Sequence, residues 1–479
     1  MMIDQCVHLD YFDPSTNYVP NPGMGIQGYV FSDHMHYGYN KEEFSFGEHN
    51  APNEQLSRHT FERMMRLPYC DNLYFRVDWN KIQKEPGKLH ITEEWEWLLD
   101  ETRRNGRRWS LRIMNASRHN AETSSVPEFL NDKLEMVGYQ STYNFGPKVK
   151  YYPAYTAEYF KWWGELTELL AERFDNDPML EFVDISGYGI WGEGHHYGCL
   201  LNADKNANNH AENADEAIST IISQYERAFV HTPIAMTLHF MDYTPGMAVV
   251  KDTNHWLRRD SFQPFSSIWE YDAMADHVPG RAVIWETLLP MMPMSPPIFT
   301  RDRVPQRILD MGAHYIAMGF NPWDAIIDHR YFMKTYEQIN RHVGYRIRPS
   351  IIWRRINENG GHELVLVLVN DGCVAPPGTI KLTAEFPAGQ QTSLLLPPGE
   401  PVPGSKTRYT LLMPVELWKS GVGEVVKFRL SLKIKGKEAP VCWAVGNHLD
   451  DPFALDTPLR RPPDGDPFLV HAEPYTPVW

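Results

Sequence analysis

Met179–Gly198, MLEFVDISGYGIWGEGHHYG, is the stretch from which the rest of the chain is read. Phe182, Val183 and Ile185 form an apolar run that follows the polar segment FDNDP at 174–178, the pattern of a strand enclosed on both faces. Glycines at 187, 189, 192, 194 and 198 come next, with Trp191, Glu193, His195, His196 and Tyr197 carried between them. Glycine lets the backbone bend sharply and approach a ligand closely. A buried strand ending in a hinged aromatic segment with one carboxylate therefore reads as an active-site edge. An isolated loop Glu is more often merely solvated, so this assignment depends on the strands around it.

Outward from that stretch the same pattern recurs. In chain order the predicted strands are GIQGYVF (25–31), NLYFRVDW (72–79), WSLRIMN (109–115), the glycine-hinged strand, TPIAMTLH (232–239), GMAVVKDT (246–253), RAVIWETL (281–288) and HYIAMGFNPW (314–323). Helical patterns lie between most of them. One begins near Thr92 with Trp95, Trp97, Leu98 and Leu99 on its apolar side, and another is AEYFKWWGELTELLAERF, with Tyr159, Trp162, Trp163, Leu166 and Leu170 at core spacing. Eight strands alternating with helices over about 320 residues predict a (β/α)8 TIM barrel, an α/β fold whose functional groups sit at the carboxyl ends of the strands. From Ala116 to Pro153 no periodicity is visible, and so long a connection reads as a functional loop, with Tyr139, Tyr143, Phe145, Tyr151 and Tyr152 as pocket walls.

Past Tyr345 the pattern changes to short alternating runs, among them HELVLVLVN, GTIKLTAEF and VVKFRLSLKI, split by Gly, Pro and Asn. Their spacing predicts a smaller all-β sandwich. The expected division is a barrel over 1–345, a sandwich over 346–451 and a proline-rich, irregular tail over 452–479.

Composition narrows the function. Net charge is −15, with no sustained Lys/Arg run, which argues against nucleic acid and favours an uncharged substrate. Aromatics reach 13%, with 15 Trp and 24 Tyr. Such rings stack on sugar faces and equally well fill a large core. The five cysteines are far apart and odd in number, with no C-x-x-C, and suggest neither a disulfide framework nor a zinc site. No segment has the pattern of a signal peptide or a membrane span. The expectation is a cytoplasmic protein with a carbohydrate substrate, no nucleic-acid or membrane partner, no cofactor, and homo-oligomerisation left open.

Glu193 and Glu286 end predicted strands four and seven, which face each other across a barrel mouth. That placement suits two carboxyls about 5 to 6 Å apart on either side of a sugar, as a retaining glycosidase needs. One must hold a proton for the leaving oxygen while the other stays ionised to attack the anomeric carbon.

FRVDWNKIQKEPGKLHITEEWEWLLDETRRNGRRWSLRI (75–113), GIWGEGH (189–195) and VIWETL (283–288) resemble the superfamily of (β/α)8 glycoside hydrolases that includes β-galactosidases, β-glucosidases and β-mannanases. The Asn21-Pro-Gly-x-Gly25 element and the terminal sandwich are similar to a poorly characterised branch of it. The resemblance covers roughly residues 20–345 strongly and the remainder weakly. It implies that Glu193 is the acid/base and Glu286 the nucleophile. One departure stands out: much of the superfamily has Asn before the acid/base, on the sugar 2-hydroxyl, where this chain has Gly192. Asn115 is a candidate to replace it.

Arg76 or Arg112 is placed to keep the nucleophile ionised, with a structural salt bridge as the even alternative. Asp78 and Asp252 end strands two and six as acceptors for sugar hydroxyls, and His195 and His239 are donors. Trp285 and Trp323 are candidate stacking platforms, with core packing as the equal alternative. Glu270, read here as helical, is the second carboxylate if the strand count slips. Two competing readings remain: a metal-dependent barrel hydrolase using His195, His196, His239 and Asp252, and a barrel that binds carbohydrate without turnover.

Overall fold

The computed structural model describes residues 5–31, 61–62, 65–66, 70–116, 125–141, 149–194, 199–200, 213–242, 244–252, 255–262, 274, 280–287, 303–317, 337–357, 359–418 and 423–460. The chain forms two compact units.

The larger unit, Gly23–Val343 with Ile434–Lys437, is a closed eight-stranded barrel. Its strands are β1 (Gly25–Phe31), β2 (Cys70–Asp78), β3 (Arg108–Met114), β4 (Leu180–Asp184), β5 (Ile234–Thr237), β6 (Trp256–Phe262), β7 (Val283–Thr287) and β8 (Tyr315–Ala317). Each pairs in parallel with the next, and β8 closes onto β1 through Tyr315–Ala317 against Gly25–Gln27. Between them run the helices α1 (Glu93–Arg104), α2 (Ala157–Phe174), α3 (Ala214–Ala228), α4 (Thr244–Asp252) and α5 (Arg303–Met311). Helix starts are written in the sequence: Thr92 Oγ1 accepts from Trp95 N at 3.1 Å and Thr156 Oγ1 from Tyr159 N at 3.3 Å, each satisfying an otherwise orphaned donor.

Seven of the eight barrel strands lie where the sequence places them. The sixth does not. Gly246–Thr253 was expected as strand six, but the chain from Thr244 to Asp252 is α4, and the strand is Trp256–Phe262. Within α4, Gly246 and Val249 are buried while Ala248 is exposed, a helical spacing, whereas WLRRDSF carries Arg258 and Asp260 into a charged lumen.

The Ala116–Pro153 connection, expected to be irregular, carries two strands. Met136–Ser141 pairs with Val149–Pro153, and also with Cys199–Leu200 from the segment after Glu193, in a three-stranded antiparallel sheet.

The lumen is stratified. At its base Tyr74, Phe182, Trp256 and Tyr315 are buried together, with Phe182 centred 5.5 Å from Trp256 and 5.6 Å from Tyr315. Above them the inward positions turn polar: Arg76 on β2, Arg112 on β3, Asp184 on β4, Arg258 and Asp260 on β6 and Glu286 on β7, all buried.

The second unit, Met1–Pro22, Gly344–Lys433 and Glu438–Trp479, contains a four-stranded and a five-stranded antiparallel sheet, as expected of a sandwich. Its boundaries differ from the sequence expectation. Gln5–Tyr11 pairs with Ile347–Ile356, so the first 22 residues belong with this unit and not with the barrel. Ala454–Pro458, expected within an irregular tail, is a strand paired with Val425–Ile434. Both are pairings between distant segments, which local pattern does not reveal. Val19, Cys442 and Ala444 form a buried cluster of this unit.

Candidate active site

Glu193 is set by a turn whose backbone is mostly in the left-handed region that favours glycine. After β4 ends, Gly187, Gly189, Gly192 and Gly194 all have positive φ, and Trp191 joins them at φ 59°, a left-handed conformation costly for a bulky side chain. The turn is tied at several points. Trp191 N donates to Ala116 O at 2.7 Å, and Gly194 N to Tyr188 O at 3.1 Å. The Gly187 carbonyl accepts from Asn115 Nδ2 at 3.1 Å and from Tyr159 OH at 2.5 Å. A Cβ on Gly192 would lie 2.6 Å from Ser186 Cβ, so the Asn of the related pattern has no space in this turn. The sequence departure thus has a steric cause.

Glu286 is held differently, on β7 itself, with Ala317 of β8 as its register partner. Asp260 lies on the adjacent β6, inside a register irregularity between Arg259 and Phe262, the kind of bulge that re-aims a side chain. One oxygen each from Glu193, Asp260 and Glu286 lie within 4.8 Å of one another.

Three guanidinium groups thread this cluster. Arg76 Nη2 donates to Glu193 Oε1 at 2.8 Å, and Arg112 Nη1 to the same oxygen at 3.1 Å. Arg112 also reaches Asp184 Oδ2 at 2.9 Å, Asp260 Oδ2 at 3.3 Å and, from β5, Thr237 Oγ1 at 3.2 Å. Arg258 Nε donates to Asp260 Oδ1 at 2.6 Å, while its Nη2 stands 3.5 Å from Glu286 Oε2. Tyr74 completes the layer by hydrogen-bonding Asp184 through its hydroxyl, with the Arg258 guanidinium 4.4 Å over its ring.

The consequences for protonation follow. Burial pushes the Glu286 carboxyl up to about 8, reinforced by the neighbouring Asp260 charge and only partly offset by Arg258. Burial also presses on Asp260, but Arg112 and Arg258 outweigh it and hold Asp260 well below the usual carboxylate range. Three carboxylates this close would also admit a cation, yet the positions a divalent ion would neutralise face guanidinium groups, a donor set better suited to sharing a proton.

No protein family profile matches the chain, and no curated protein is similar to it in sequence. Among solved structures it is similar to the catalytic domain of β-amylase from Paenibacillus polymyxa, at 10% identity and a TM-score of 0.43, covering 66% of this chain and 98% of that one. It is similar to β-galactosidase from Bacillus circulans sp. alkalophilus at 11% and 0.42, covering 67% and 56%, and to endo-glycoceramidase II from Rhodococcus sp., a lactosyl-enzyme intermediate, at 10% and 0.39, covering 83% and 100%. At these scores the likeness carries no residue assignment, and the barrel stands on its own closed strand order.

The structure brings Arg76, Arg112, Glu193 and Glu286 together, as the sequence reading places them, but both arginines bond Glu193; the cation beside Glu286 is Arg258. Asp78 is buried at the end of β2 and accepts from Ser125 Oγ at 2.9 Å. Asn115, proposed for a sugar hydroxyl, instead braces the hinge at Gly187. His239 is half-buried, its Nε2 3.5 Å from Arg259 Nη1.

Two candidates are corrected. Trp285 is no platform at this site: it alternates with Glu286, so it faces outward, fully buried, and donates its indole N–H to Gly312 O at 2.8 Å. Asp252 does not end a strand but closes α4. His195, His196, Glu270 and Trp323 lie outside the described residues.

Asp184, Arg258 and Asp260 were missed. Their signal was the alternation itself, Phe182/Asp184 and Trp256/Arg258/Asp260, which places a charge on the lumen side at each second step.

Proposed function

We propose that this chain is a glycoside hydrolase that cleaves β-glycosidic bonds with retention, by double displacement between Glu193 and Glu286. The observation that carries this reading is the approach of the two carboxyls to within 4.8 Å at the carboxyl ends of β4 and β7. A gap of roughly 5 Å suits direct attack on the anomeric carbon, whereas inversion needs roughly 6.5–9.5 Å to seat a water. A neutral carboxyl beside an ionised one is the further requirement, and the uneven distribution of guanidinium groups supplies it. The acidic chain and the aromatic segments after strands one and three, read from sequence, favour a short uncharged glycoside as substrate.

In the first step one carboxylate attacks the anomeric carbon as the other carboxyl passes its proton to the departing oxygen. In the second, water attacks the same carbon, loses a proton to the donor carboxylate, and releases the first carboxylate. Incubation of the full chain with aryl glycosides of both anomeric configurations tests this reading. Turnover of β-glycosides alone, abolished in Glu193→Gln and in Glu286→Gln, is the expected result. Glycan binding without turnover would instead indicate a non-catalytic barrel.

A further inference from the structure

Four buried carboxyls, Asp184, Glu193, Asp260 and Glu286, face three guanidinium groups, Arg76, Arg112 and Arg258, among the described residues of this layer. A dry cluster with one more acid than base reaches neutrality by keeping one proton. The contacts show where it sits. Glu193 has two guanidinium nitrogens at 2.8 and 3.1 Å, Asp260 has three at 2.6, 3.3 and 3.4 Å, and Asp184 has Arg112 at 2.9 Å and the Tyr74 hydroxyl. Among the described residues, the one guanidinium within 4 Å of Glu286 is Arg258, at 3.5 Å.

We propose that the roles are opposite to those the resemblance implies: Glu286 is the proton donor and Glu193 the nucleophile, with Asp260 the positioning residue that keeps the proton on Glu286. This rests on the glycosidase reading for its chemistry, but not for its protonation pattern. The described strands around Glu286 agree with it. β6 presents Asp260 and Arg258, β2 and β3 direct Arg76 and Arg112 to Glu193, β4 presents Asp184 already paired, and β8 presents Ala317. The upward displacement of the Glu286 carboxyl, with Asp260 as the charge responsible after burial, agrees in direction.

The bonds balance as follows. A Glu193 oxygen bonds to the anomeric carbon while the bond to the leaving oxygen breaks and that oxygen takes the Glu286 proton. Water then attacks the anomeric carbon, Glu286 recovers a proton from it, and the Glu193 ester bond breaks.

Two experiments test this. The first needs no substrate: infrared difference spectra of the full chain, read for the carbonyl band of a protonated buried carboxyl at neutral pH. The Glu286 band is expected to vanish in Glu286→Gln and to disappear at lower pH in Asp260→Asn than in the wild type; Glu193→Gln, which leaves three acids facing three guanidinium groups, is expected to lower that pH as well. A band unchanged in Glu286→Gln, or no shift in Asp260→Asn, overturns the proposal. Should Glu286→Gln fail to fold, the Asp260→Asn shift decides.

The second uses 2,4-dinitrophenyl β-D-glucoside, β-D-galactoside and β-D-mannoside, whose leaving group needs no proton. Glu286→Ala is expected to keep its first step and to yield β-glycosyl azide with added azide, whereas Glu193→Ala loses the first step by about a thousandfold or more and yields α-glycosyl azide. The reverse pattern overturns the assignment. A wild type inert to all three probes, with the infrared result as expected, counts against the glycosidase reading and leaves the protonation pattern standing.

Discussion

Glu193 and Glu286 are the same side chain at the same mouth, and they differ in everything that surrounds them. Glu193 rides on a turn in which Trp191, Gly192 and Gly194 all adopt left-handed backbone, and two arginines grip one of its oxygens. Glu286 sits within a regular strand, is 1% exposed, and has one cation at 3.5 Å and an ionised Asp260 as neighbour. Backbone strain and positive charge fall on one carboxyl and are withheld from the other, the asymmetry that the proposed double displacement asks of its two acids.

The contrast breaks most completely when either carboxyl is removed. Glu193→Gln and Glu286→Gln are each expected to lower kcat by several orders of magnitude on an accepted glycoside. Rates near wild type in either variant remove that residue from the mechanism.

The backbone half of the contrast is tested at Gly194, where an added Cβ would lie 2.5 Å from the Phe240 ring and φ is +77°. Gly194→Ala is expected to cost about 1–3 kcal/mol in denaturant titrations and to reduce turnover with it, because the turn that aims Glu193 must shift. An equivalent loss of turnover without destabilisation would mean that Gly194 serves the substrate and not the hinge.

The charge half is sharpened by pH. With Glu286 as donor, kcat/KM is expected to fall as pH rises through about 8, and Asp260→Asn to move that limb to lower pH by removing the nearest negative charge. Stability follows the same group. Because its carboxyl is raised in the folded state above the ordinary 4.5, the stabilising contribution of Glu286 is complete below about 4.5 and is lost as pH rises through about 8. Wild type and Glu286→Gln should therefore diverge in melting temperature over that interval, and parallel curves would contradict the assignment.

The smallest effect is expected at Asn115. Asn115→Ala leaves the Gly187 carbonyl with Tyr159 alone, a loss of about 1 kcal/mol with KM unchanged. A raised KM would restore Asn115 to the substrate.

How much of this was legible in the sequence follows from how each residue signals its environment. Glu193 and Glu286 were readable because each ends an apolar run, and the glycines beside Glu193 declare a special backbone. Arg258 and Asp260 were hidden because a lumen that charged gives its strand no apolar run, whereas the helix before it carries the apolar run GMAVV. Trp285 was misjudged by identity when parity with Glu286 already set it on the outer face. Gln5–Tyr11 and Ala454–Pro458 join sheets formed by distant segments, and nothing local in either stretch specifies its partner.

The most direct test of the central claim is the anomer first released by the wild-type chain from an accepted 2,4-dinitrophenyl β-glycoside, followed by NMR before mutarotation. The β-anomer is the expected first product, since carboxyls within 4.8 Å leave direct attack as the available route. The α-anomer appearing first would mean that water attacks across a wider gap, and the two-glutamate displacement would be wrong.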